Sequence, residues 1–178
     1  MIIKPMMSAL VALALLALTA CADAESGSPN TKSDAQSESA QAADSTAIEL
    51  TTYKSATCGC CKKWVDHARD SGFAITAQDV DDLNDIKNRH RIEPRHQSCH
   101  TSVSAEGYVF EGHIPAKLIR QFLQNPPAGA RGLAVPAMPL GSPGMEVDGR
   151  FTPYNVMQLN SNGSESVYAR MDSIEQQH

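Results

Sequence analysis

The sequence contains no phosphate-binding glycine loop, no nucleophile triad and no general acid/base pair. Their absence turns the first expectation from catalytic turnover toward binding. Basic residues are not in excess: 15 Lys and Arg stand against 20 Asp and Glu, a formal charge of −5, so no nucleic-acid partner is implied. No internal repeat occurs, which excludes solenoids and propellers. No apolar run reaches the roughly 20 residues that a membrane-spanning helix requires.

What is present begins with a shorter apolar run. Ser8 to Ala20 is uninterruptedly apolar or small, follows Lys4 and stops at Cys21. That is the anatomy of a signal peptide, so residues 1–20 are expected to be removed on export. Leu18-Thr19-Ala20-Cys21 resembles a lipobox, which implies lipidation of Cys21 and attachment to a membrane through several acyl chains. Ala22 follows the cysteine, and by resemblance to sorted lipoproteins this favours a periplasmic site on the outer membrane. Residues 22–46 carry almost no large apolar side chains and cannot bury enough surface to offset ordering entropy. With Cys21 they are read as a flexible tether, holding residues 47–178 roughly 25 to 30 Å from the lipid. Most of the net negative charge lies in the tether, leaving a nearly neutral domain that is expected to be monomeric.

From Ala47 the pattern changes. Ala47 to Tyr53 alternates and is rich in strand formers, predicting a first strand. Cys58-Gly59-Cys60-Cys61 follows, leading into a helix that places Cys61, Trp64, Val65 and Ala68 on one face and ends at Gly72. Phe73 to Val80 reads as a second strand. Asp82 caps a short helix carrying Leu83 and Ile86. His100 to Val103 and Tyr108 to Phe110 flank Ala105-Glu106-Gly107 as a hairpin. Pro115 opens a helix with Leu118, Ile119, Phe122 and Leu123 inward, and Pro126-Pro127 ends it. A long Pro/Gly-constrained loop, residues 126–146, precedes a last hairpin turning at Ser161-Asn162-Gly163. A loop of this length in a compact domain is usually functional, and it is expected to pack over the body as a lid. The class is α/β, and the βαβα-ββ-α order resembles the thioredoxin and glutaredoxin fold, with a C-terminal loop and β-hairpin added.

Five cysteines are present, and with Cys21 assigned to lipid, Cys58, Cys60, Cys61 and Cys99 remain. Three fall within four consecutive positions at a helix N-terminus, with Lys54, Lys62 and Lys63 nearby, a setting that favours thiolate. Thiolate serves two chemistries. It ligates soft metals, Cu(I) above all, with Cys99-His100 as a second donor segment. It is also the nucleophile of disulfide exchange, for which Cys58 and Cys61 form a C-x-x-C. The resemblance to thioredoxins places the Cys99-His100 strand beside the cysteine turn. Those families carry a cis-proline there, and no proline occurs at Cys99, His100 or Thr101, which favours metal over redox. A third reading is a purely structural staple. Met138 and Met145 in the long loop offer thioethers that a Cu(I) site accepts, or fill a gap beneath the lid. His113 and His96 are weaker candidates without a spacing motif.

Three segments, CGCCKKWVDHARDSGF, SCHTSVSAEGYVFEGHIPA and GLAVPAMPLGSPGMEV, together resemble the family described as domain of unknown function 411. The resemblance implies a metal-binding, copper-associated domain between about Leu50 and Arg170. It places the family's cysteine motif on Cys58, Cys60 and Cys61, its SCHT motif on Cys99 and His100, its EGH motif on His113, and its loop motif on Met138 and Met145. The expectation is therefore a membrane-tethered periplasmic copper protein, a chaperone or buffer in copper tolerance. Its protein partners would be an exporter, an oxidase or a copper donor.

Overall fold

The computed structural model describes residues 47–178. The signal peptide, the lipidated Cys21 and the tether therefore lie outside the described residues. Strand β1 (Ile48–Lys54) leads to helix α1 (Gly59–Asp70), strand β2 (Phe73–Asp79) and helix α2 (Leu83–Arg89). A 3-10 turn at Pro94–His96 precedes strands β3 (His100–Ser104) and β4 (Val109–Glu111), and helix α3 (Ala116–Gln124) follows. Strands β5 (Ala130–Ala134), β6 (Tyr154–Asn160) and β7 (Glu165–Met171) complete a seven-stranded mixed sheet in the order β2-β1-β3-β4-β5-β6-β7. The first four strands carry the arrangement expected of a thioredoxin-like core: β1 parallel to β2, β3 antiparallel to β1, and β4 antiparallel to β3.

The local signals act as the sequence implies. Asp82 accepts from the Asn84 N–H at 2.7 Å and so caps α2. Helix α1 ends where Gly72 takes a positive φ of 83°, and α3 ends at Gln124, with Asn125 between it and the Pro126-Pro127 pair. Trp64, Val65 and Ala68 from α1 and Leu118, Ile119 and Phe122 from α3 form the core with Leu50, Phe110, Leu133 and Val156 of the sheet. Two polar contacts tie the helices together at the site end. The Trp64 indole donates to the Ile114 carbonyl at 2.9 Å, and His67 Nε2 accepts from the Ala116 N–H at 3.1 Å. The second contact satisfies an N–H at the start of α3 that the capping Pro115 has no side-chain acceptor to meet.

The reading of residues 126–146 as one long loop is corrected. Residues 130–134 form β5, parallel to β4 and antiparallel to β6, so the last hairpin extends the central sheet. Leu133 and Ala134 in the strand, and Val135 just after it, are fully buried. The signal was hidden by glycine and proline density around a strand of only five residues. One of those glycines is itself structural, because a Cβ at Gly132 would lie 1.8 Å from the Val109 carbonyl oxygen of the adjoining strand. The remaining loop does reach over the body: a Cβ at Gly144, where φ is +86°, would lie 2.7 Å from the Cys60 carbonyl and 2.8 Å from the Trp64 nitrogen. No helix among the described residues is long and apolar enough to cross a membrane.

Candidate metal centre

The cysteine turn follows β1, and the register that sets Lys54 opposite His100 brings the start of β3 alongside it. Cys58 caps α1, its sulfur accepting from the Cys61 N–H at 3.3 Å, so the turn closes on the helix N-terminus. Cys58 and Cys61 are joined by a disulfide, with Cα atoms 5.3 Å apart, while Cys60 and Cys99 are free. Cys60 Sγ lies 3.5 Å from Cys58 Sγ and 3.8 Å from Cys99 Sγ, and Cys61 Sγ lies 3.5 Å from the Cys99 carbonyl oxygen. The two segments therefore meet, as the resemblance to thioredoxins requires.

Two imidazoles complete the cluster. His113 Nδ1 is 2.8 Å from the Pro143 carbonyl, which only accepts; the ring proton therefore sits on Nδ1, and the Nε2 lone pair faces Cys99 Sγ at 2.9 Å. The loop thus fixes the tautomer that offers Nε2 as a ligand. His100 Nδ1 is 3.4 Å from the same sulfur. Its ring packs on Trp64 with centroids 4.5 Å apart and meets His113 edge-on at 5.0 Å. His100 is fully buried. Two donor groups result, Cys58, Cys60, Cys61 and Cys99 in one and Cys99, His100 and His113 in the other, each with ligand atoms within 4.8 Å of one another. Cys99 belongs to both. Thiolate sulfur and neutral imidazole are the donors a soft or borderline metal accepts.

Burial sets the protonation of these groups. Burial first, then the neighbouring Cys60, pushes the Cys99 thiol up to about 12, so a metal binding there displaces a proton. Burial, then the charges of His113 and Lys87, holds His100 well below the ordinary imidazole range, and burial likewise lowers His113. Both rings are thus neutral in the folded protein at neutral pH. The consequence for stability has a definite sign. Below the unfolded value near 6.5 the unfolded chain takes up protons that the folded chain refuses, so stability falls as pH drops and is insensitive to these groups above it. Denaturant midpoints of the metal-free protein at about pH 7.5 and 5.5 should show the loss on the acid side; an equal or higher midpoint at the lower pH would contradict it.

Not every residue singled out in the sequence joins the cluster. His96 is buried but its Nε2 pairs with Glu165, which also accepts from Arg95 Nε at 3.0 Å. Lys54, expected to favour thiolate in the cysteine turn, is buried and spends its charge on Asp79. Lys62 and Lys63 are exposed on the helix face. Met138 stands 48 % exposed on the loop, and Met145 is half-buried next to Gly144, one residue from the contact with the Cys60 carbonyl. Sequence reasoning missed the buried Lys87, Glu111 and Thr101 beneath the Cys99-His100 strand. Only the placement of Glu111 two residues before His113 hinted at it.

This is an α/β domain with a sulfur- and imidazole-rich cluster at the N-terminus of its first helix. The model of the family described as "Protein of unknown function, DUF411" matches residues 96–145. Two solved structures titled "Copper resistance protein copG", forms 2 and 1, are each 38% identical, covering 70% of this chain and 98% of theirs with TM-scores of 0.67 and 0.66. No curated protein sequence matches. The chain belongs to the DUF411 family.

Proposed function

We propose that the chain is a copper-binding protein that holds Cu(I) as cargo, acting as a chaperone or buffer in copper tolerance. The observation that carries this reading is the convergence of four cysteine sulfurs and two neutral imidazoles on one small volume, with Cys99 common to both groups. The copper resistance proteins whose structures it resembles support it. The donors would be Cys58, Cys60, Cys61, Cys99, His100 and His113, with Met138 and Met145 as loop thioethers. Binding through all four cysteines first requires a thiol reductant to open the Cys58–Cys61 bridge, two electrons and two protons giving two thiols. We place the protein at the periplasmic face, attached through lipid on Cys21, a reading that rests on the sequence of residues 4–21.

Titration of the reduced protein with Cu(I) against a chromophoric chelator tests the reading. Tight binding should be lost when Cys58, Cys60 and Cys61 are all changed to serine; unchanged affinity in that variant would contradict it. A second reading, thiol-disulfide exchange, is favoured by one observation, the Cys58–Cys61 bridge at a helix N-terminus. Sustained insulin reduction would support it, and the absence of turnover would remove it.

A further inference from the structure

We propose that Glu111 is a positioning residue of the metal centre, a single buried carboxylate that holds both flanks of the Cys99-His100 donor pair. This rests on the copper reading above. Glu111 ends β4 and is 0% exposed. Its Oε1 accepts from the Ser98 N–H at 2.7 Å and from Lys87 Nζ, and its Oε2 accepts from the Thr101 hydroxyl at 2.6 Å. Lys87 Nζ also donates to Thr101 Oγ1 at 3.3 Å, so the hydroxyl gives one hydrogen bond and receives another.

The bonds bracket the donors. Ser98 immediately precedes Cys99 and Thr101 immediately follows His100, while Glu111 itself stands two residues before His113. The backbone closes the arrangement, the Gly112 N–H donating to the His100 carbonyl at 3.0 Å. Ser98 and Cys99 lie before the first residue of β3, and the Ser98 N–H finds its acceptor in Glu111 instead of a strand neighbour. The carboxylate therefore fixes the approach of Cys99, the donor common to both groups.

Placing an ion pair in a core rarely stabilises it more than apolar residues of the same size would. Outer partners that orient metal ligands, by contrast, change affinity by roughly 10- to 100-fold. The network beneath β3 has the form of the second case, because the carboxylate accepts from Ser98 and Thr101, the residues on either side of the Cys99-His100 pair.

The test compares full-length variants. Lys87→Met with Glu111→Leu removes both charges together and abolishes the clamp. Lys87→Met with Glu111→Gln keeps an amide oxygen for Ser98 and an amide N–H for Thr101. In metal-free protein, iodoacetamide labelling of Cys99, followed by peptide mass spectrometry, should be faster in the leucine pair and return toward wild type in the glutamine pair, alongside a roughly tenfold or greater change in Cu(I) affinity. Cu(I) affinity should fall and recover in the same order. An unchanged Cys99 rate in a natively folded leucine pair would overturn the proposal, as would equal acceleration at every free cysteine. If the leucine pair fails to fold, Thr101→Val removes one arm without touching a charge, and faster labelling confined to Cys99 is again required. Wild-type protein that does not bind Cu(I) removes the copper reading, and the labelling pattern still decides whether Glu111 is a clamp.

Discussion

Changing Cys99 to serine should weaken Cu(I) binding by about 100-fold or more, at the upper end of what losing even an outer-shell partner does. Cys99 Sγ is the atom the two donor groups share, 3.8 Å from Cys60 Sγ, 2.9 Å from His113 Nε2 and 3.4 Å from His100 Nδ1. A serine hydroxyl is a hard, protonated oxygen that Cu(I) does not favour, so the substitution removes a ligand from each group and supplies none. The side chain is only partly buried and smaller than most of its surroundings, so folding should survive. Competition against a chromophoric chelator, with circular dichroism to verify the fold, measures the effect. Affinity within a few-fold of wild type would mean that Cys99 is not a ligand.

The second large effect concerns stability. Lys87 is 4% exposed and Glu111 0%, and removing the cation alone by Lys87→Met would leave a buried carboxylate with no opposite charge. Breaking such a pair typically costs about 3 to 5 kcal/mol, a large share of the stability of a domain of this size. Thr101 and the Ser98 N–H still donate to the carboxylate, so the anion is not bare, which sets the lower half of that range as the expectation. Replacing both residues by apolar ones should cost much less, because the uncompensated charge disappears with its partner. Urea denaturation of the single and paired variants checks the difference. A single variant as stable as the wild type would show that the charge finds water or another cation.

Much of this arrangement was legible in the chain before folding. Period-two alternation marked β1, the spacing of Cys61, Trp64, Val65 and Ala68 marked the buried face of α1, and Gly107 marked the β3–β4 turn, where its N–H donates to the Ser104 carbonyl at 3.0 Å. The meeting of the cysteine turn with Cys99 followed from the resemblance of the βαβα-ββ-α order to the thioredoxin fold. Two features were not legible. Strand β5 hid among glycines and prolines because it is only five residues long and its consecutive buried residues Leu133 and Ala134 leave no alternation to detect. The Lys87, Glu111 and Thr101 network hid because a lysine on a short helix reads as solvated; only the packing of α2 against β3 shows its ammonium turned inward. The neutral tautomer of His113 was equally invisible, since it depends on a carbonyl thirty residues away in the loop.

The central claim is that sulfur and imidazole from two distant segments share one metal. A copper K-edge X-ray absorption spectrum of the reduced, Cu(I)-loaded protein tests it most directly. The account predicts copper held mainly by sulfur with an imidazole contribution, and loss of sulfur scattering in the Cys99→Ser variant. Copper surrounded by nitrogen and oxygen alone, or a spectrum indifferent to that substitution, would contradict it.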